Sequence, residues 1–216
     1  MTGNLVPTTA GLRERKKQQT RHTLIVAALD LAEEQGYEHT TVEQIADRAE
    51  VSARTFARYF PTKDSVILSV LAWLAAGVRD GLRDVPGDVS SFDALLRATL
   101  SLLDRTERGA MAMRPDRLLT VLRVVHSSPG MQAAAADVWS TSTAAALAER
   151  IGDVAGDRTI QLISGVWSAI LTSAWSELGA LQAASAVTAE TLPGQMATAL
   201  IRAYDDFAEV AGNPRR

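Results

Sequence analysis

The stretch that most constrains this chain is Thr40–Lys63, TTVEQIADRAEVSARTFARYFPTK, which reads as two short helices joined by a tight turn. Thr40 and Glu43 have capping-box spacing: the threonine hydroxyl accepts from the backbone N–H three residues on while the glutamate reaches back. This predicts a helix starting at Thr40. Val42, Ile45, Ala46 and Ala49 recur at helical spacing as one apolar face, and Glu43, Gln44, Asp47 and Arg48 stay outside it. Glu50-Val51-Ser52 forms the turn, with Ser52 placed to cap the second helix. On that helix Phe56 and Phe60 share a face, and Pro61 ends it. Two short helices so joined are a helix-turn-helix. Between Ser52 and Lys63 lie the cations Arg54, Arg58 and Lys63 and no acid. A helix charged this way, with its first turn outward, suits the major groove of DNA.

The segment TVEQIADRAEVSARTFARYFPTKDSV resembles the DNA-binding motif of the TetR family of bacterial transcriptional regulators. That pattern runs approximately T-hydrophobic-x-x-I-A-x-x-A-G-V-S-x-x-T-hydrophobic-aromatic-x-Y-F-x-x-K. Two positions depart from it. Glu50 stands where the family usually has glycine, at a turn position where a side chain costs about 1 kcal/mol, and Ala57 stands where an aromatic usually contacts DNA. The resemblance implies a three-helix DNA-binding domain followed by a helical ligand-binding and dimerisation domain. It also implies a homodimer on a palindromic double-stranded operator, released by a small effector, with repression as the default sign. Arg54, Thr55 and Arg58 are expected nearest the bases or phosphates, with Ser52, Tyr59 and Lys63 on phosphates. Thr40 is expected to touch a phosphate besides capping its helix. Lys17 and Arg21, at the start of the first helix, occupy the end from which family members reach the backbone. Ala57 can offer only a methyl contact.

Composition narrows the alternatives. In 216 residues, 47% are hydrophobic and glycine and proline are sparse, while helical periodicity dominates and strand-like alternation is nearly absent. An all-α fold of about nine helices follows. With no cysteine, disulfides, thiolate metal sites and thiol nucleophiles are excluded. No metal site or cofactor is expected. The chain shows no G-x-S-x-G, no G-x-G-x-x-G and no His-x-x-x-His, so an enzyme is not expected. The rival readings are a helical enzyme of unrecognised class and a dimeric scaffold that does not bind DNA. The net charge of −3 conceals a cluster: Arg13, Arg15, Lys16, Lys17 and Arg21 against Glu14. Phosphates sense such clustering. Without an apolar leader the protein is expected in the cytoplasm. The uncharged run Thr159–Ser176 carries too many hydroxyls and amides for a lipid-facing span and reads as a helix between protein surfaces, so no membrane partner is expected.

The expected organisation is a loose arm over 1–12, the helix-turn-helix domain over 13–61, a connecting helix over 62–85, the regulatory domain over 86–211, and a tail over 212–216. Pro86-Gly87-Asp88 is the best internal boundary. Helices are expected over about 13–35, 90–107, 115–126, 131–150, 157–178 and 192–210. The eighth is apolar around most of its girth, and the ninth carries a stripe of Met196, Leu200, Ala203, Tyr204 and Phe207. These last two helices are expected to pair with their copies in a homodimer. An apolar effector cavity is expected among helices five to eight, with Phe92, Leu96, Leu103, Met113, Leu122 and Met131 as candidate walls, joined by Trp139, Trp167 and Trp175. RLLTVLRVVHSSPGMQAAAADVW and the Trp-rich eighth helix resemble the branch containing the mycofactocin regulator, which implies an acyl-CoA-like ligand besides the simpler alternative of a small hydrophobic one. Arg123, with Arg114 and Arg117, could then pair with an anionic head group.

Overall fold

The structure, a computed structural model, describes residues 9–110, 114–152, 156–183 and 188–212. Among these are nine α-helices and one 3-10 turn, with no strand. The chain divides into two compact units between Ile67 and Leu68, inside α4 (Lys63–Leu82). The Pro86–Asp88 turn is therefore a connection within the second unit.

The first unit holds α1 (Thr9–Gln35), the 3-10 turn Tyr37–His39, α2 (Val42–Arg48), α3 (Ala53–Tyr59) and the first turn of α4. α1 begins at Thr9, so residues 9–12 of the expected arm are helical. Gly36 ends α1 at φ 85°, a conformation that suits a residue without Cβ. The α2 cap is Thr41 rather than Thr40. The Thr41 hydroxyl accepts from Gln44 N–H at 3.2 Å, and Gln44 Oε1 accepts from Thr41 N–H at 2.9 Å. Thr40 is displaced from the cap because it is 1% exposed and its hydroxyl donates to the Gly36 carbonyl at 3.0 Å. Gln35 Nε2 further anchors Gln44 Oε1 at 3.0 Å, a support that Glu43 lacks. Leu24, Ala28 and Leu31 of α1 close over Ile45, Ala46 and Phe56, with Phe60 and Val66 completing the core. Removing a buried phenylalanine of this kind costs roughly 3–5 kcal/mol, so the two short helices are held by packing rather than by propensity.

The second unit contains the rest of α4, α5 (Ser91–Glu107), α6 (Pro115–His126), α7 (Pro129–Ile151), α8 (Asp157–Ala183) and α9 (Leu192–Val210). Ser90 caps α5 by accepting from Asp93 N–H at 3.2 Å. α7 starts two residues earlier than expected: Ser128 caps it through Met131 N–H at 3.2 Å, and Pro129 takes the first helical position, where its missing N–H costs nothing. α8 runs past Leu178 to Ala183. Four of its hydroxyls donate to backbone carbonyls. Ser164, Thr172 and Ser176 each donate to the carbonyl four residues earlier, and Ser168 ties α8 to α7 through the Ala136 carbonyl at 2.9 Å.

α9 spends its apolar stripe inside this unit. Phe207 lies against Phe92 at 5.1 Å between ring centres, Tyr204 meets Trp167 edge-on at 6.3 Å, and the Tyr204 hydroxyl donates to Asp93 Oδ1 at 3.1 Å. At the end of α7, Arg150 donates to the carbonyls of Leu82 (3.0 Å), Val85 (2.9 Å) and Pro86 (2.5 Å). One guanidinium thus binds the last carbonyl of α4 and two carbonyls of the turn that follows it, at the end where a helix dipole favours a cation. The apolar stretch Ala53–Leu82 has the mean hydropathy of a membrane span, but half of its apolar window is buried in the chain, and Pro61 interrupts it between α3 and α4.

Candidate nucleic-acid interface and effector cavity

The turn before α3 is set by three contacts. Val51 N–H reaches the Ala46 carbonyl at 2.9 Å, and Ser52 Oγ accepts from Thr55 N–H at 3.1 Å and meets the Thr55 hydroxyl at 3.0 Å. Glu50 takes φ 54° there, the left-handed conformation that a glycine would occupy without strain. Phe56, 1% exposed, anchors the inner face of α3. Its outer face presents Ser52, Arg54, Ala57 and Arg58 to solvent, with Thr55 and Tyr59 half-buried at the edges. Arg58 lies over the Tyr59 ring at 5.2 Å, which fixes both side chains.

Three of the expected phosphate contacts have structural occupations. Thr40 is buried and bonded to Gly36, so it cannot reach a phosphate; this corrects the expectation. Lys63 is half-buried and donates to the carbonyls of Tyr37 (3.0 Å) and Thr40 (3.2 Å), its ammonium 4.5 Å from the centre of the Tyr37 ring. Only one of its three N–H donors is left over. Arg21 sits 4.5 Å over the Phe60 ring, whereas Lys17 is exposed on the same helix beside Arg13, Arg15 and Lys16. The Tyr37 hydroxyl donates to Asp64 Oδ1 at 2.6 Å, and burial, with that carboxylate beside it, pushes the phenol well above its usual range. Glu34 and Arg48 form a two-pronged pair at 2.7 and 2.9 Å that brings α1 and α2 together; the Arg48 hydrogen bonds hold the Glu34 carboxyl below its ordinary value.

The second unit holds a partly open cavity of about 60 Å³ bounded by α4, α6, α7, α8 and α9. Of the expected wall residues, Leu122, Trp139 and Trp175 line it. The others lie elsewhere. Phe92 packs on Phe207, Trp167 on Tyr204, Leu103 and Met131 are buried away from the space, Leu96 is half-buried on α5, and Arg123 is exposed on α6. Met113 falls outside the described residues. Arg114 is exposed and paired with Asp116 at 2.9 Å. Sequence reasoning missed Leu71 and Leu74 of α4, His126 at the end of α6, and Gln132, Thr172 and Ser176. A lone histidine and scattered hydroxyls carry no spacing signal; only the fold brings them to one wall.

Residues 24–70 match the family described as bacterial regulatory proteins, tetR family. That match covers α2, α3 and the C-terminal part of α1, the segment that holds the helix-turn-helix. The chain is also 38% identical over 128 residues to the HTH-type transcriptional regulator TcmR of Streptomyces glaucescens, a match covering 59% of this chain and 57% of that protein. It therefore spans less than two thirds of that relative's length. Among solved structures, a TetR-family regulator from Syntrophomonas wolfei superposes with a TM-score of 0.56 at 18% identity, covering 87% of this chain and 94% of the other. Thermus thermophilus FadR, solved as a complex with lauroyl-CoA, superposes at 0.52 with 23% identity, covering 86% and 91%. At these identities the superpositions speak for the fold alone: a helical architecture of the TetR type.

Proposed function

We propose that the chain is a ligand-responsive transcriptional regulator, acting by default as a repressor in the cytoplasm, and that a homodimer binds a palindromic operator. The observation that carries this reading is the outer face of α3. A capped, strained turn presents Arg54 and Arg58 with no acid on the helix, over a core-anchored Phe56. Such a face meets major-groove base edges and phosphates. Arg54 and Thr55 read bases, Arg58 and Tyr59 act as one stacked unit at the backbone, and Ser52 keeps a lone pair beside its capping role. Lys17 supports the duplex from α1. The dimer forms through the exposed sides of α8 and α9, since the apolar stripe of α9 is already covered within the chain. Of the two effector classes, a small hydrophobic molecule fits the cavity better than an acyl-CoA, because no arginine or lysine lines it among the described residues. Effector binding favours a dimer shape whose two α3 helices no longer match the half-site spacing, and it can do so only by binding the two shapes unequally.

The test is selection of duplexes from a random library by the purified protein, followed by fluorescence anisotropy against salt. A palindromic consensus, and affinity that falls steeply with salt, are expected. Arg54→Ala should lose about 1–3 kcal/mol of discrimination at one base pair per half-site. Salt-independent binding, or no consensus, defeats the reading.

A further inference from the structure

We infer that each α3 recognises a guanine with thymine beside it in the half-site: Arg54 takes the guanine, and the exposed methyl groups of Ala53 and Ala57 pack on thymine methyl groups. This names the bases sought by the function proposed above and rests on it. α3, ARTFARY, contains no asparagine, glutamine, aspartate or glutamate. It therefore lacks the amides that bind adenine through two hydrogen bonds and the carboxylates that accept from the cytosine amino group. Its other polar side chains are largely committed. Arg58 lies over the Tyr59 ring at 5.2 Å, which draws it to the flank of the helix. The Thr55 hydroxyl is bonded to the Ser52 hydroxyl at 3.0 Å, and a hydroxyl pairs with any base without choosing among them. Arg54 is exposed and stands clear of both pairings. The base edge that matches two guanidinium N–H groups is O6 and N7 of guanine.

Ala53 and Ala57 are both exposed, on one side of α3. The four-residue interval between them spans about 6 Å of helix axis, close to two base-pair steps of about 3.4 Å. Arg54, three residues before Ala57, is its neighbour on the helix surface. The rotation of α3 that turns these three residues outward is fixed from inside: Phe56 and Phe60 are each 1% exposed, and their ring centres lie 5.8 Å apart.

Neither alanine reaches beyond Cβ, so each lets a base edge come close to the helix, and each favours only an apolar one. In the major groove the apolar group is the C5 methyl of thymine. Cytosine would set its amino group, and a purine its N7, against a methyl that neither accepts nor donates, leaving a polar group desolvated and unpaired. Paired hydrogen bonds from one arginine and apolar contact from two methyls are thus the means by which α3 discriminates among bases, and together they specify guanine with thymine about two base pairs away or less.

The experiment uses the full-length protein and the palindromic duplex it selects, with each thymine in turn replaced by deoxyuridine in both half-sites. Deoxyuridine keeps the base pairing and loses only the methyl. Fluorescence anisotropy at one fixed salt concentration should find one or two such thymines within about two base pairs of a selected guanine. Loss of each methyl should raise Kd about fourfold per half-site, the cost of giving up the burial of one methyl. Ala57→Gly should lose about the same factor on the thymine duplex and nothing further on the duplex with deoxyuridine at its position, because the two changes remove one contact. Ala53→Gly should do the same at the other thymine. Damage to the fold would lower affinity for both duplexes alike and leave their ratio intact; circular dichroism checks folding. At the selected guanine, 7-deazaguanine, which lacks the N7 acceptor, should weaken the native protein and leave Arg54→Ala unaffected. Tolerance of deoxyuridine at every thymine overturns the inference. So does a thymine-to-deoxyuridine ratio that both alanine variants leave unchanged, or a half-site without guanine and thymine at that spacing. A consensus that ignores the methyls removes this inference alone, whereas the absence of any consensus removes the proposed function together with it.

Discussion

Glu50 shows how a single residue can sit in a conformation its chemistry disfavours. Its φ of 54° is what the turn between α2 and α3 demands, and the side chain is exposed, so nothing in the surroundings needs the carboxylate. Glu50→Gly should stabilise the protein by about 1 kcal/mol by relieving left-handed strain, an effect partly offset by the extra freedom of glycine in the unfolded chain. Urea unfolding measures it, and a lower midpoint would mean that the strain is not there. Lys63 illustrates the opposite case, a residue whose expected role was DNA but whose bonds are internal. Lys63→Met removes two hydrogen bonds to carbonyls and should cost about 2 kcal/mol in urea, so its effect on DNA binding must be read against stability. Glu34 gives a pH dependence. Its folded carboxyl titrates below the ordinary 4.5 because Arg48 bonds to it. The stabilisation is therefore complete above about pH 4.5 and is lost as pH falls through the folded value. Arg48→Met should flatten that part of the stability profile, measured by thermal melts between pH 3 and 6. At this scale the sequence was partly legible. Ser52 and Pro61 announce their roles, but the choice of Thr41 over Thr40 as the cap depends on which hydroxyl the Gly36 carbonyl claims, and that is decided only when α1 and α2 meet.

Among the elements, α4 is held most deliberately. Its first turn carries Lys63 and Asp64, bonded to the Tyr37 region, and Arg150 holds its last carbonyl and the turn after it. Arg150→Met should leave the Leu82 carbonyl and the two turn carbonyls with weaker partners and cost about 2 kcal/mol, a value discounted for partial exposure. The urea midpoint checks it, and Arg150→Lys, which can reach fewer of the carbonyls, should recover only part of the loss. Helix existence was legible nearly everywhere because caps and prolines punctuate the chain: Ser90, Pro115, Ser128 and Thr191-Leu192-Pro193 all stand at helix starts. What stayed hidden was the facing of α8 and α9. The α9 stripe looked free for a partner, but Phe92 and Trp167 cover it. Their distance in sequence gave no hint.

For the whole molecule, the dimer proposed above uses the exposed side of α9 and the outer side of α8. There Leu162, Gly165, Ala169 and Ser173 are exposed, with Leu162 at 61%, and small residues allow a second helix close approach. Ala169→Arg should convert the proposed dimer to monomer in native mass spectrometry and abolish operator binding while leaving the melting of each chain cooperative. A dimer that survives this change places the interface elsewhere. The division inside α4 rather than at Pro86 was not legible, because a helix that belongs to two units carries no composition shift at the boundary. Arg150 has a further consequence in time. The carbonyls it holds lie 64 to 68 residues away along the chain. The contact thus closes a long loop that cannot form until α5, α6 and α7 are in place. It belongs late in folding. Its loss should therefore quicken unfolding far more than it slows folding, which makes this one side chain a brake on how fast the native protein comes apart.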